Sequence, residues 1–383
     1  MDFKAAFERA REVGRDVVAK EALETDKNYT WHEQGMRAML EAGLGGLVVP
    51  REYGGLGFGL PELARVCEVL GEESGSMGLC FGMHCVGSAV IAAKPTPAQI
   101  GKYLVPIAAG KHITTLSLSE SGTGAHFYYP QTTLAPDGAG NFILEGNKTF
   151  VTNGAHADSY VISTVASAED APVGHFSCIV VDKDSEGMQW EERWRGIGMR
   201  GNSSLNLKLD RTRVPEENLL GQEGDQIWYI FKVVAPFFIM AMSGTYLGLA
   251  QAAMSEARDH LIRRTYSHSG LNLSDLPVLQ HHLGEIWCIV ERTRRLIYYA
   301  AEEASGGGEL ALPGLCSAKI EVSRCLVETV NKSMTLMGGI GYREGGKIER
   351  ILRDSRAADV MSPTTDLLTT WVGRALLDQP LLD

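Results

Sequence analysis

None of the seven cysteines sits in a C-x-x-C pair, so neither a redox dithiol nor a zinc knuckle is expected and no metal site is implied. The apolar neighbours of Cys67, Cys80, Cys85, Cys178, Cys288, Cys316 and Cys325 suggest buried free thiols in a reducing compartment. Basic charge is also short. With 36 Lys and Arg against 47 Asp and Glu, the net charge of -11 excludes nucleic acid as an expected partner, because phosphate binding needs clustered cations. The opening M-D-F-K-A-A-F-E-R-A has no apolar core of a secretory signal. Phe231 to Met242 is strongly apolar, but it contains Lys232 and Pro236 and is too short to span a bilayer. A cytoplasmic protein without a membrane segment is expected. Internal repeats and low-complexity stretches are absent as well.

What is present is a chain of 383 residues, 44% apolar and 22% charged, long enough for two or three soluble domains. Its periodicity changes twice. Residues 1–112 carry apolar positions at helical spacing, interrupted by the Gly- and Pro-rich V-V-P-R-E-Y-G-G-L-G at Val48 to Gly57. Ser74 to Ala93 is small, apolar and nearly uncharged, which fits a helix buried on most sides. His84, within it, reads as a hydrogen-bonded core residue. Residues 113–225 switch to a period of two. Strands are expected at Phe142 to Glu145, Thr149 to Thr152, Tyr160 to Ala166, Phe176 to Val181 and Ser204 to Leu209, forming an antiparallel β-domain and a small barrel. Residues 226–383 return to helix. Leu283, Ile286, Trp287 and Val290 share one stripe, and Val322, Leu326, Val330 and Met334 another, predicting a four-helix bundle. The fold class is therefore α+β, mostly α, in three domains.

The stretch Leu116 to Gly154 holds the chemistry. L-S-L-S-E-S-G-T-G-A-H-F, from Leu116, describes a strand that ends in a loop whose glycines let backbone amides approach a ligand. In K-T-F-V-T-N-G, from Lys148, Phe150 and Thr152 stand two residues apart, so one strand face offers an aromatic plate and a hydroxyl. A flat, polar-edged ring such as a flavin needs such a surface, although an ordinary polar hairpin has the same pattern. Phe237, Phe238, Met240 and Met242 suggest either an apolar pocket or plain core.

Helical, β and helical domains in that order, together with five motifs, resemble the acyl-CoA dehydrogenase superfamily. The motifs are V-P-R-E-Y-G-G-L-G, L-S-E-x-G-x-G from Leu118, K-x-F-V-T-N-G from Lys148, R-V-P-E-E-N-L-L-G from Arg213, and G-G-I-G-Y-x-E with R-D-S-R, from Gly338 and Arg353. The resemblance implies FAD held between the β-domain and the bundle. Leu116, Leu118, Ser119, Gly124 and Ala125 would meet the pyrimidine side of the flavin, and Phe150 and Thr152 its ring. A neighbouring subunit would complete the adenine end with Arg264, Gln280, Thr335, Gly338 and Gly339, while Thr364, Thr365 and Asp366 cap the dinucleotide. A shared cofactor site implies a homotetramer or homodimer. The resemblance also implies an acyl thioester substrate, on CoA or a carrier protein, or another small apolar acid, with an electron-transferring flavoprotein as acceptor.

The chain departs from that family where proton abstraction is performed. The usual Glu position falls on Ser362, in V-M-S-P-T-T-D, and the alternative one on Phe238. A serine hydroxyl needs a neighbouring base to act as one. Ala125-His126 replaces the common Ser-Asp, and Phe237, Phe238 and Ile239 replace the polar residues of that helix. Three functions follow from this pattern. The first is α,β-dehydrogenation with a relocated base, for which His84 and Asp366 are candidates. The second is a flavin-dependent monooxygenase or oxidase of the same superfamily, with which G-M-R-G-N-S-S at Gly198 to Ser204 is equally compatible. The third is a non-catalytic subunit that binds flavin or acyl groups.

Overall fold

The computed structural model describes residues 1–166, 174–308 and 310–382. The N-terminal domain is helical. Its central pair is Leu60–Glu73, opened by the reach of Glu62 back to the Gly59 amide, and Gly75–Ala93, capped by the Ser74 hydroxyl. Seventeen consecutive residues of the second helix, Gly75 to Ile91, are buried, as its uncharged composition predicts. Both Gly75–Ala93 and Gln226–Arg263 are long and apolar enough to cross a bilayer, but 89% of each apolar window is buried by the fold, so they are core helices.

The middle domain is a sheet of eight strands: β1 (Thr114–Ser117), β2 (Thr133–Pro136), β3 (Asn141–Val151), β4 (Ser159–Ala166), β5 (Phe176–Asp182), β6 (Met188–Arg193), β7 (Leu205–Pro215) and β8 (Leu219–Leu220). Pairing follows the order β6-β7-β3-β2-β4-β5-β8, an open path, and β1 and β2 both pair β4 in parallel. The expected β-domain is present and mostly antiparallel, and the pairings of β1 and β2 with β4 are its two parallel exceptions. Of two strands expected separately, Phe142 to Glu145 and Thr149 to Val151 belong to the single β3, and Thr152 follows its end. Leu205, Leu207 and Leu209 are buried in β7, between the half-buried Asn206 and Lys208.

The topology places the site. β1 pairs the first half of β4 and β2 the second half of the same edge. The chain between them, residues 118–132, therefore leaves the sheet and crosses its end as a loop.

The C-terminal domain contains Ala235–Arg263, Pro277–Ser305, Ala311–Met337 and the shorter Thr365–Leu376. Ala235–Arg263 packs backbone to backbone on Leu60–Glu73. A Cβ at Gly244 would stand 2.1 Å from Ala64 O, and one at Gly248 2.1 Å from Glu68 O, so larger residues there would force the domains apart. Before this helix a π turn, Ile230–Val234, directs the Ala235 amide to Ile230 O and accommodates Pro236, which has no amide hydrogen to donate. Ile286 and Val290 are buried as the stripe predicts and Leu283 is half-buried, but Trp287 is 52% exposed. Cys288 is also exposed, whereas the other six cysteines are buried and free.

Candidate functional site

A cavity of about 850 Å³ lies where the end of β1, the 118–132 loop, the end of β3, residues 194–204 and the C-terminal helices meet. A buried ion pair fixes the loop. Glu120 accepts hydrogen bonds from the amides of Gln131 (2.8 Å) and Thr132 (3.1 Å) and from Thr132 Oγ1 (2.8 Å), so one carboxylate ties both ends of the loop. Lys148 Nζ lies 2.5 Å from Glu120 Oε1 and 2.6 Å from Ser163 O, fully buried. Burial lowers the Lys148 pKa and Glu120 opposes that. Glu120 is the only Asp or Glu among the described residues lining the cavity, and it is occupied structurally.

The far wall comes from the end of β3. The four residues Lys148 to Val151 of β3 face the three residues Leu205 to Leu207 of β7, which makes a bulge, and Phe150 within it takes a left-handed φ of 57°. Phe150 and Thr152 both line the cavity as expected, though through this bulge and not through regular alternation. Thr149 N donates to Ser119 O (2.8 Å) and Thr115 Oγ1 to Thr152 O (3.0 Å), which zips β1 to the end of β3. Asn153 donates to Cys80 O and accepts from Trp31 Nε1, both at 2.9 Å, fastening this turn to the N-terminal domain.

The loop Gly198 to Ser204 joins all three domains. Met199 N donates to Asp354 Oδ1 (2.6 Å), Gly201 N to Ser76 Oγ (3.0 Å), and Asn153 N to Asn202 O (3.0 Å). Burial pushes Asp354 up to about 6, while the Met199 amide pulls it down. Arg353 forks onto Asp26 at 2.9 and 2.6 Å and reaches Glu349 at 2.5 Å, holding the R-D-S-R helix against the N-terminal domain.

Leu116, Leu118, Ser119, Gly124, Ala125, Phe150, Thr152 and Thr364 are brought together around the cavity, with Ser362 and Phe238. Arg264, Gln280, Thr335, Gly338 and Gly339 are not. All five are exposed on the outside of the bundle. Asp366 is exposed in the first turn of Thr365–Leu376 and does not line this cavity; at that turn its charge favours the helix dipole. Of the apolar set, Phe238 lines the cavity and Phe237 does not, while Met240 and Met242 are core. Sequence reasoning missed Leu79, Met83, Arg200, Val234 and Ala235. Leu79 and Met83 stand four apart on the buried helix, a spacing that marks one face without saying what it faces.

His84 does not reach the cavity either. Its Nε2 donates to Gly45 O (2.8 Å), its Nδ1 accepts from Thr114 N (3.2 Å), and burial lowers its pKa to about 4. With both ring nitrogens occupied by backbone, it supplies no base and instead pins β1 to the N-terminal loop. The folded-state pKa lies below the ordinary 6.5, so His84 contributes stability that is present above that value and lost as pH falls from 6.5 towards 4. The loss is expected to reach roughly 3 kcal/mol. Urea denaturation at pH 7 and pH 4.5, for the native protein and His84→Gln, measures it, and an equal pH dependence in the two proteins would refute it.

Polar atoms on one wall fit a flavin. Ser117 Oγ, Thr149 Oγ1 and Arg200 Nε belong to lining residues, are buried, and have no hydrogen-bond partner within the protein. The lining residues contributed by the helices, Leu79, Met83, Val234, Ala235 and Phe238, are apolar. Three domains in this order, with such a cavity at their junction, define a flavin-dependent oxidoreductase. The chain belongs to the acyl-CoA dehydrogenase family: the family's N-terminal, middle and C-terminal domain models match residues 2–111, 115–212 and 239–377. FAD is accordingly its cofactor. It is 26% identical to a short-chain specific acyl-CoA dehydrogenase of Clostridium acetobutylicum, over 96% of this chain and 97% of the relative. It is likewise 26% identical to a cyclohex-1-ene-1-carbonyl-CoA dehydrogenase of Geobacter metallireducens, over 98% and 97%. Its fold matches that of butyryl-CoA dehydrogenase from Megasphaera elsdenii with a TM-score of 0.91 at 22% identity, covering 98% of this chain and 100% of the other.

Proposed function

We propose that the protein oxidises an acyl thioester at the α,β bond without a carboxylate in the usual catalytic position. One observation carries the reading: a single cavity lined both by buried polar atoms without partners and by apolar side chains from the helices. Bound FAD supplies the two-electron acceptor. Leu116, Leu118, Ser119, Gly124 and Ala125 hold its pyrimidine side and Phe150 and Thr152 its ring, with Thr364 at the start of the last helix. The exposed Arg264, Gln280, Thr335, Gly338 and Gly339 reach the adenine end of a second copy's cofactor in a homodimer or homotetramer. An electron-transferring flavoprotein takes the electrons, and the buried thiols suit a cytoplasmic setting.

A second reading, oxidase or monooxygenase, is favoured by the one lining carboxylate being locked to Lys148. Anaerobic mixing of the yellow protein with a panel of acyl-CoAs, and separately with a flavin reductase and NADH in air, separates the two. Loss of the visible flavin absorbance with a thioester supports dehydrogenation. Oxygen consumption coupled to product formation without thioester bleaching overturns it.

A further inference from the structure

Among the described residues, one group brings three metal-ligating side chains together: His281, His282 and Glu285. They stand near the start of Pro277–Ser305, and none of them lines the flavin cavity. The lack of a C-x-x-C pair excludes a thiolate site but says nothing about imidazole. His281 precedes Glu285 by four residues and His282 precedes it by three, the two spacings at which side chains on a helix meet.

Their geometry is close to that of ligands around one ion. His281 Nε2 lies 3.7 Å from Glu285 Oε1, and His282 Nδ1 donates to Glu285 Oε2 at 3.0 Å. Zinc bonds of about 2.0–2.1 Å set at tetrahedral angles hold neighbouring ligand atoms roughly 3.3–3.4 Å apart, a separation that these two distances bracket. The donor atoms of all three residues lie within 4.8 Å of one another, and both imidazoles are exposed, so small side-chain rotations close the remaining edge. Two ring nitrogens and a carboxylate suit zinc, whereas calcium and magnesium take oxygen. One cation already stands beside Glu285. Lys332 Nζ, on Ala311–Met337, lies 3.7 Å from Glu285 Oε2 but 3.1 Å from Glu328 Oε1. Glu328 keeps the ammonium when Glu285 turns to a metal, so Lys332 competes for Glu285 without closing the site.

We infer that His281, His282 and Glu285 bind one zinc ion on the outside of the bundle, with water in the fourth position. Zinc takes the place of the His282 Nδ1 proton, which leaves to solvent. The ion then ties three positions of one helix together, and because the unfolded chain does not hold them in this geometry, binding stabilises the fold. The inference goes beyond the oxidoreductase reading and does not depend on it.

The test uses the full FAD-loaded protein, stripped with a chelator, dialysed and titrated with zinc chloride in a calorimeter. One zinc per chain is expected, and a higher thermal midpoint with zinc than without it. His281→Ala and His282→Ala should each weaken binding at least about tenfold, the lower end of what even a supporting partner of a metal ligand contributes. Neither should lower the midpoint measured without zinc, since both rings are exposed. Lys332→Met should tighten binding by removing the competing cation. No variant alters Gln280, the neighbour assigned to a second copy's cofactor. Failure to take up zinc overturns the proposal. So does equal affinity in the native protein and in His281→Ala/His282→Ala, which would place the zinc on other groups of the chain. Failure of the flavin reading would show separately, as a protein that takes up no FAD.

Discussion

Ser362→Glu should bleach with butyryl-CoA at least about 100-fold faster than the native protein, the lower end of what a positioned general base contributes. Ser362 lines the cavity and is half-buried, and the motif resemblance puts it where a glutamate is expected. Phe238→Glu should gain less, because Phe238 is 8% exposed among apolar neighbours and desolvation would raise the pKa of the new carboxyl. Anaerobic stopped-flow mixing reads both variants. An unchanged rate in Ser362→Glu, with FAD content and melting temperature preserved, would mean that more than a base separates this protein from its relatives.

Lys148→Met should destabilise the protein by about 3–5 kcal/mol, the usual cost of leaving a buried charge without its partner. Glu120 would keep its three hydrogen bonds from Gln131 and Thr132 but lose the cation 2.5 Å away, and Ser163 O would lose a donor. Because Glu120 holds the 118–132 loop against β3, FAD retention should fall with stability. The double variant Glu120→Gln/Lys148→Met removes both charges and should recover most of the loss. Chemical denaturation together with flavin content after gel filtration measures the effect. A cost below about 1 kcal/mol for the single variant would mean that Glu120 finds another partner or takes up a proton.

Much of the site was legible because its side chains come from contiguous motifs. Leu118, Ser119, Gly124, Ala125, Phe150 and Thr152 lie on the cavity because a strand ending in a glycine loop, and an aromatic near a hydroxyl, are local patterns. The residues that were misassigned or missed depend on long-range contacts. His84 was brought forward as an imidazole, but its two partners, Gly45 and Thr114, are 39 and 30 residues away. Glu120 is the only lining carboxylate among the described residues, yet Lys148 makes it unavailable, and nothing in the spacing of 28 residues announces that pair. The parallel pairing of β1 and β2 with β4 likewise escaped a reading based on alternation, which reports which face is buried and not which strand lies alongside.

By itself the sequence determined the three-domain order, the change of period at each boundary and the buried helix Gly75–Ala93, since these depend on residue type and short-range spacing. Only the tertiary structure decided which polar groups are spent on one another and which remain to face a ligand. Hydrogen bonds and ion pairs are settled by distances across the fold, between residues far apart in the chain.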